Sequence, residues 1–116
     1  MREAIYWMDR QNPAEALQAA QWAEVWEAHS PAPLHIQATA LDSMQKVAEA
    51  RKVMERCCQK FPGDATSWYL LGLGRAGEGD LIGGREALMK ALSLEPQFES
   101  AQRNLNAIEA ALEQDS

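Results

Sequence analysis

The sequence predicts an all-α fold. Three observations carry that prediction: an alanine-rich composition poor in β-branched residues, apolar positions at helical spacing, and a recurrence of residue type every 34 positions. Alanine supplies 20 of the 116 residues, whereas Val, Ile and Thr together supply nine. Strands draw on branched side chains because these pack well on a pleated surface; helices do without them. Hydrophobic residues make up 47% and charged residues 24%, the balance of a globular chain and not of a disordered one. The length suits one domain or an array of small repeats, and it buries a core without disulfide help.

Turn signals divide the chain into short helical pieces. Asn12-Pro13, Ser30-Pro31, Pro62-Gly63-Asp64, Gly77-Glu78-Gly79-Asp80 and Glu95-Pro96 are the breaks. Asn12 precedes Pro13, with Glu15 at the third helical position, which reads as a capped helix start. Asp64 and Asp80 are further N-cap candidates. In the last piece Phe98, Ala101, Leu105, Ile108 and Leu112 follow one another at steps of three and four, one stripe of a helix closed by a polar tail. Helices of about 12 to 15 residues are marginal alone and must pack on neighbours. The expectation is six or seven helices and no sheet, with helix pairs meeting near residues 10–13, 44–46 and 77–80.

The recurrence fixes how they pair. Pro62 and Pro96 are 34 apart, as are Ala38 and Gly72, Ala50 and Gly84, Met54 and Leu88, and Cys57 and Ala91. One period earlier stand Ala4, Ala16, Ala20 and Ala23. Small residues return where helices must approach closely, and larger ones fill the space between. Residues 65–98 carry Trp68, Leu71-Gly72, Gly84, Leu88, Ala91 and Pro96, with Gly79-Asp80 at the turn. This resembles the tetratricopeptide-repeat family. Arg75 stands where that family places an aromatic. Residues 31–64 match through Ala38, Leu41, Ala50, Met54, Cys57 and Pro62, with Gln37 where Leu is usual. Residues 1–30 resemble a repeat lacking its first turn, through Ala4, Trp7, Ala16, Ala20 and Ala23, and residues 99–116 resemble the helix that caps such arrays. The resemblance implies an α-solenoid of antiparallel helix pairs, with about three repeats and a C-terminal cap helix.

Charge and motif content narrow the chemistry. A formal net charge of -6 argues against nucleic acid and anionic membrane, both of which demand clustered cations. No apolar run approaches the roughly 18 residues of a membrane span, and no signal peptide is read at Met1-Arg2. Cys57 and Cys58 are adjacent and cannot bridge each other without severe strain. Cys57 takes a buried packing position, Cys58 is expected to be partly exposed, and two free thiols suit a reducing compartment, so the expected location is cytoplasmic, with a soluble domain of a larger anchored or secreted protein as the alternative. His29 and His35 add no metal spacing. Gly72-Leu73-Gly74-Arg75-Ala76-Gly77 fits the G-x-G-x-x-G dinucleotide fingerprint. That motif needs a strand before it and a second strand after it; the apolar stretch Ser67-Trp68-Tyr69-Leu70-Leu71 precedes it, but no second strand is available. A cofactor-binding or enzymatic domain built on Gly72–Gly77 is therefore the alternative, and no cofactor, metal or catalytic residue is assigned. Trp68 and Trp7 fall on packing positions; Trp22 and Trp26, one turn apart, are either core or a face left for a partner.

The resemblance implies a protein-interaction scaffold that binds a partner peptide or helix, since the first helix of each unit in that family lines a concave groove. Carried over position by position, the groove takes His35, Thr39, Asp42 and Ser43, then Thr66, Tyr69, Leu73, Ala76 and Gly77, with Ile5, Met8 and Asp9 before them and Arg103 and Ala107 after. Family members that clamp the acidic tails of heat-shock chaperones use Lys, Arg and Asn here. Arg103 is the one cation in this set, and Asp9 and Asp42 oppose a carboxylate. Gly74 and Gly77 are the residues the repeat explains least, and Gly77 falls on the groove side. Ile5, Tyr6, Trp7 and Met8 have little chain above them. The shortened first unit therefore implies either a piece of a longer protein or a homodimer through the N-terminal end, and self-association as a structural scaffold is a further alternative.

Overall fold

The computed structural model describes residues 12–114, and among these it contains six α-helices and no strand. They are α1 (Pro13–Trp26), α2 (Ala32–Ser43), α3 (Val47–Lys60), α4 (Ala65–Gly77), α5 (Leu81–Leu94) and α6 (Glu99–Gln114). Helices break at 44–46 and 78–80, where the sequence places two of the helix-pair turns; the turn expected near residues 10–13 lies mostly outside the described residues. By its contacts the chain divides into two units, Met1–Cys57 and Cys58–Ser116, with the boundary inside α3.

The three expected caps form. The Asn12 side chain accepts from the Glu15 N–H at 3.4 Å, Asp64 from Ser67 at 3.1 Å and Asp80 from Gly83 at 2.9 Å. Each satisfies one of the orphan donors of a helix start. The α2–α3 and α4–α5 turns are built alike, 34 residues apart. Lys46 N–H bonds back to the Leu41 carbonyl at 2.8 Å, and Asp80 N–H to the Arg75 carbonyl at 2.9 Å. In each the residue before the donor is left-handed: Gln45 at φ 62° and Gly79 at φ 91°. The second turn uses the residue that carries no penalty there, and the first does not.

In the first unit α1 packs on α2 through an alanine face. Ala16, Ala20 and Ala23 are buried, with Leu34, Ala38, Ala40 and Leu41 from α2 and Ala50, Met54 and Cys57 from α3. Gln37, where the repeat expects leucine, is also buried. Its Nε2 donates to Glu24 Oε1 at 2.7 Å and to the Ala20 carbonyl at 3.4 Å, while Arg56 Nη1 donates to Glu24 Oε2 at 2.8 Å. Three helices are thus pinned by one polar cluster, and the buried amide is satisfied.

In the second unit α4 and α5 cross at two glycines. A Cβ on Gly72 would stand 2.9 Å from Leu88 Cγ and 3.1 Å from the Gly84 carbonyl oxygen; one on Gly84 would stand 3.0 Å from the Gly72 carbonyl oxygen. This is the close crossing that the small-residue pattern requires. Leu88 and Ala91 from α5 join Ala101, Leu105 and Ile108 from α6 in the core, with Trp68, Tyr69, Phe98 and Leu112 packed against it. Arg75, in place of the aromatic, donates from Nη1 to the Gly83 carbonyl at 3.2 Å and ties α4 to the first turn of α5.

Candidate functional site

Thr66, Tyr69, Leu73 and Gly77 recur along α4 at steps of three and four, so they share one stripe of that helix. Leu71 and Gly72 turn away into the core. Thr66 and Gly77 are exposed, and Tyr69, Leu73 and Ala76 are half-buried. A Cβ built on Gly77 meets nothing within 4 Å, so no packing demands glycine there and the stripe ends in open space. The Tyr69 ring lies 4.9 Å from the Phe98 ring, centroid to centroid, at an interplanar angle of 40°. That contact holds the start of α6 beside α4, and Arg103 follows in the second turn of α6. Arg103 and Ala107 are exposed, with Arg103 Nη2 at 3.3 Å from Ser100 Oγ.

The remaining positions belong to the first unit. On α2, Thr39, Asp42 and Ser43 are exposed and His35 is half-buried. Thr39 Oγ1 donates to the His35 carbonyl at 2.9 Å, so its hydroxyl is engaged by its own helix. Ile5, Tyr6, Trp7, Met8 and Asp9 lie outside the described residues, as do the groove and N-terminal pairing expectations that rest on them.

One expectation changes. Cys58 is buried, not partly exposed, and both cysteines are unbridged. The glycine-rich segment lies within α4, so the strand–turn–helix geometry of a dinucleotide site is not present there. No group of three His, Cys, Asp or Glu side chains among the described residues is placed to hold a metal, and no helix among them is long and apolar enough to cross a membrane. Trp22 and Trp26 resolve to the surface, exposed by 65% and 77%, with Val25 between them. Val25 completes an i, i+3, i+4 set that spacing alone contains. Ile82 and Met89 on α5 are also exposed, and their two-turn spacing is the one sequence signal for them.

No family model and no curated protein sequence matches the chain. Solved structures do. The Sgt2 tetratricopeptide-repeat domain from Aspergillus fumigatus superposes with a TM-score of 0.91 at 22% identity, over 98% of this chain and 77% of that one. The first such domain of Spaghetti (RPAP3), bound to the HSP90 peptide SRMEEVD, gives 0.87 at 18% identity over 96% and 88%. The Yersinia enterocolitica type III secretion chaperone SycD, in complex with a peptide of the translocator YopD, gives 0.85 at 12% over 98% and 89%. The 34-residue ladder of small residues and these superpositions agree, and the chain has the tetratricopeptide-repeat fold.

Proposed function

We propose that the chain is a protein-interaction module that binds a segment of a partner protein along the α4 stripe of Thr66, Tyr69, Leu73 and Gly77, with Arg103 beside it on α6; within the first unit, taken by itself, His35, Thr39 and Asp42 on α2 are the proposed binding positions. The observation that carries this reading is the fold: RPAP3 and SycD, which share it, are solved with peptides bound. The stripe has the composition of a peptide site, with a half-exposed aromatic, a half-exposed leucine and an open position where a bulky side chain can approach. Acidic chaperone tails are poor candidates for the α4 stripe, because Arg103 is the one cation named beside it.

A photo-crosslinking residue in place of Thr66 tests this on the full chain. Capture of a discrete partner that is lost in Tyr69→Ala and Gly77→Leu, with folding intact by circular dichroism, is the expected result. Unaltered capture in both variants refutes the stripe. Binding of the peptide SRMEEVD at about micromolar Kd, about −8 kcal/mol, would overturn the electrostatic part.

A further inference from the structure

The α1 surface has no role in the reading above. Trp22, Val25 and Trp26 are exposed by 65%, 70% and 77%, and they lie together at i, i+3 and i+4 on one side of the helix. The other side, Ala16, Ala20 and Ala23, is buried, so the fold of the first unit does not use the tryptophans. Beside them runs an open cleft of about 750 Å³, lined among the described residues by Glu15, Gln18, Ala19, Gln21, Trp22 and Val25. Clustered exposed apolar residues of this size mark an interaction surface, and tryptophan is enriched among the anchors of such surfaces.

Charge selects the occupant. From residue 11 to residue 45 the sequence contains no Lys or Arg, while Glu15, Glu24, Glu27 and Asp42 fall within that span. Arg56 reaches α1 from α3, but its guanidinium is taken up by Glu24 at 2.8 Å. Glu15, exposed and lining the cleft beside Trp22, has no ion pair among the described residues. The last turn of α1 carries no basic side chain either, which leaves the negative end of the helix dipole next to Trp26. Two copies pairing through this face would set Glu15 of each against a surface that offers no cation among the described residues of α1 and α2, and an anionic membrane meets the same repulsion.

We propose that the Trp22–Val25–Trp26 face of α1 docks a basic amphipathic helix of a partner protein, its apolar side chains on the tryptophans and its Lys or Arg residues toward Glu15 and the negative C-terminal end of α1. Such helices dock through anchors spaced i, i+3, i+4 and i+7. The 14 residues of α1 offer about 21 Å of length, enough for some four turns of the ligand.

The test titrates the full chain with a synthetic helix of about 18 residues carrying Leu at that spacing and Lys on its flanks. Indole N–H resonances of Trp22 and Trp26 are expected to shift while that of Trp68 stays. The Trp22→Ala/Trp26→Ala double variant is expected to bind at least about tenfold more weakly with its melting temperature unchanged, a difference of about 1.4 kcal/mol. A peptide of the same composition in scrambled order, and one with Glu for Lys, should bind no better than the double variant. Equal binding by the double variant or by either control peptide overturns the proposal. So do the absence of any shift at about 1 mM peptide, a dimer of the free chain that the double variant converts to monomer, and tryptophan shifts with phosphatidylserine vesicles in place of the peptide. The Tyr69→Ala variant should bind the helix as the unaltered chain does; its failure to do so merges this face with the α4 stripe and refutes a second surface.

Discussion

The two turns at Gln45 and Gly79 stand 34 residues apart with the same hydrogen bond across each, yet they are built from different residues. The same holds for the cores beside them. Position 37 is a buried glutamine and position 71 a buried leucine; position 38 is alanine and position 72 glycine. The second unit meets the repeat's demands by removing atoms, as at the Gly72–Gly84 crossing. The first meets one of them with a polar cluster, Gln37–Glu24–Arg56. A repeat position therefore specifies a volume and a satisfied environment, and either an apolar side chain or a paired polar one meets it.

The largest effect should come from Gly72→Leu. Its Cβ alone would stand 2.9 Å from Leu88 Cγ, and the remaining atoms have nowhere to go. We expect a loss of about 3 kcal/mol or more, a fall in Tm of roughly 10 °C. A variant that melts like the unaltered chain refutes the crossing. Exchanging the residues at 37 and 71 probes the comparison directly. Leu71→Gln should cost about 2–3 kcal/mol, because the position 34 residues after Glu24 is Cys58 and offers no carboxylate. Gln37→Leu should change stability by under about 1 kcal/mol, since Glu24 keeps Arg56 as a partner. Equal losses in urea denaturation would mean that the polar cluster is not what makes Gln37 tolerable.

Smaller effects follow in the turns. Gln45→Gly with Lys46→Asp places the second unit's turn in the first. It relieves a left-handed glutamine and gives α3 the side-chain cap that α5 has in Asp80. A gain of about 1–2 kcal/mol is expected from thermal melting. Least of all for stability is Gly77→Leu. With open space at its Cβ, the melting temperature should hold or rise slightly, as glycine is about 1 kcal/mol worse than alanine in a helix. Loss of partner capture in that variant, with the Tm held, separates a binding role from a packing one.

The repeat ladder was readable from residues alone because helix crossings tolerate few sizes. Gly72, Gly84, Ala38 and Ala50 announce themselves by recurring, and Asn12, Asp64 and Asp80 cap their helices by local chemistry that three residues settle. The α4 stripe was readable too, as positions on a helix of known phase. The reason Gln37 is buried was not readable, because its partners lie 13 and 17 residues before it and Arg56 joins only through Glu24. Nor was the partner of Arg75, a backbone carbonyl on the next helix, or the burial of Cys58 beside Cys57. Adjacent residues on a helix point about 100° apart; spacing alone did not show that both thiols would be covered. Trp22 and Trp26 were equally fit for core or surface until the alanine face of α1 was found buried in their stead. The sequence determined the period, the helix limits and the positions that had to be small, since these depend on neighbours along the chain. Tertiary structure decided which polar groups are paired and which apolar faces are left uncovered, because those depend on residues that only folding brings together.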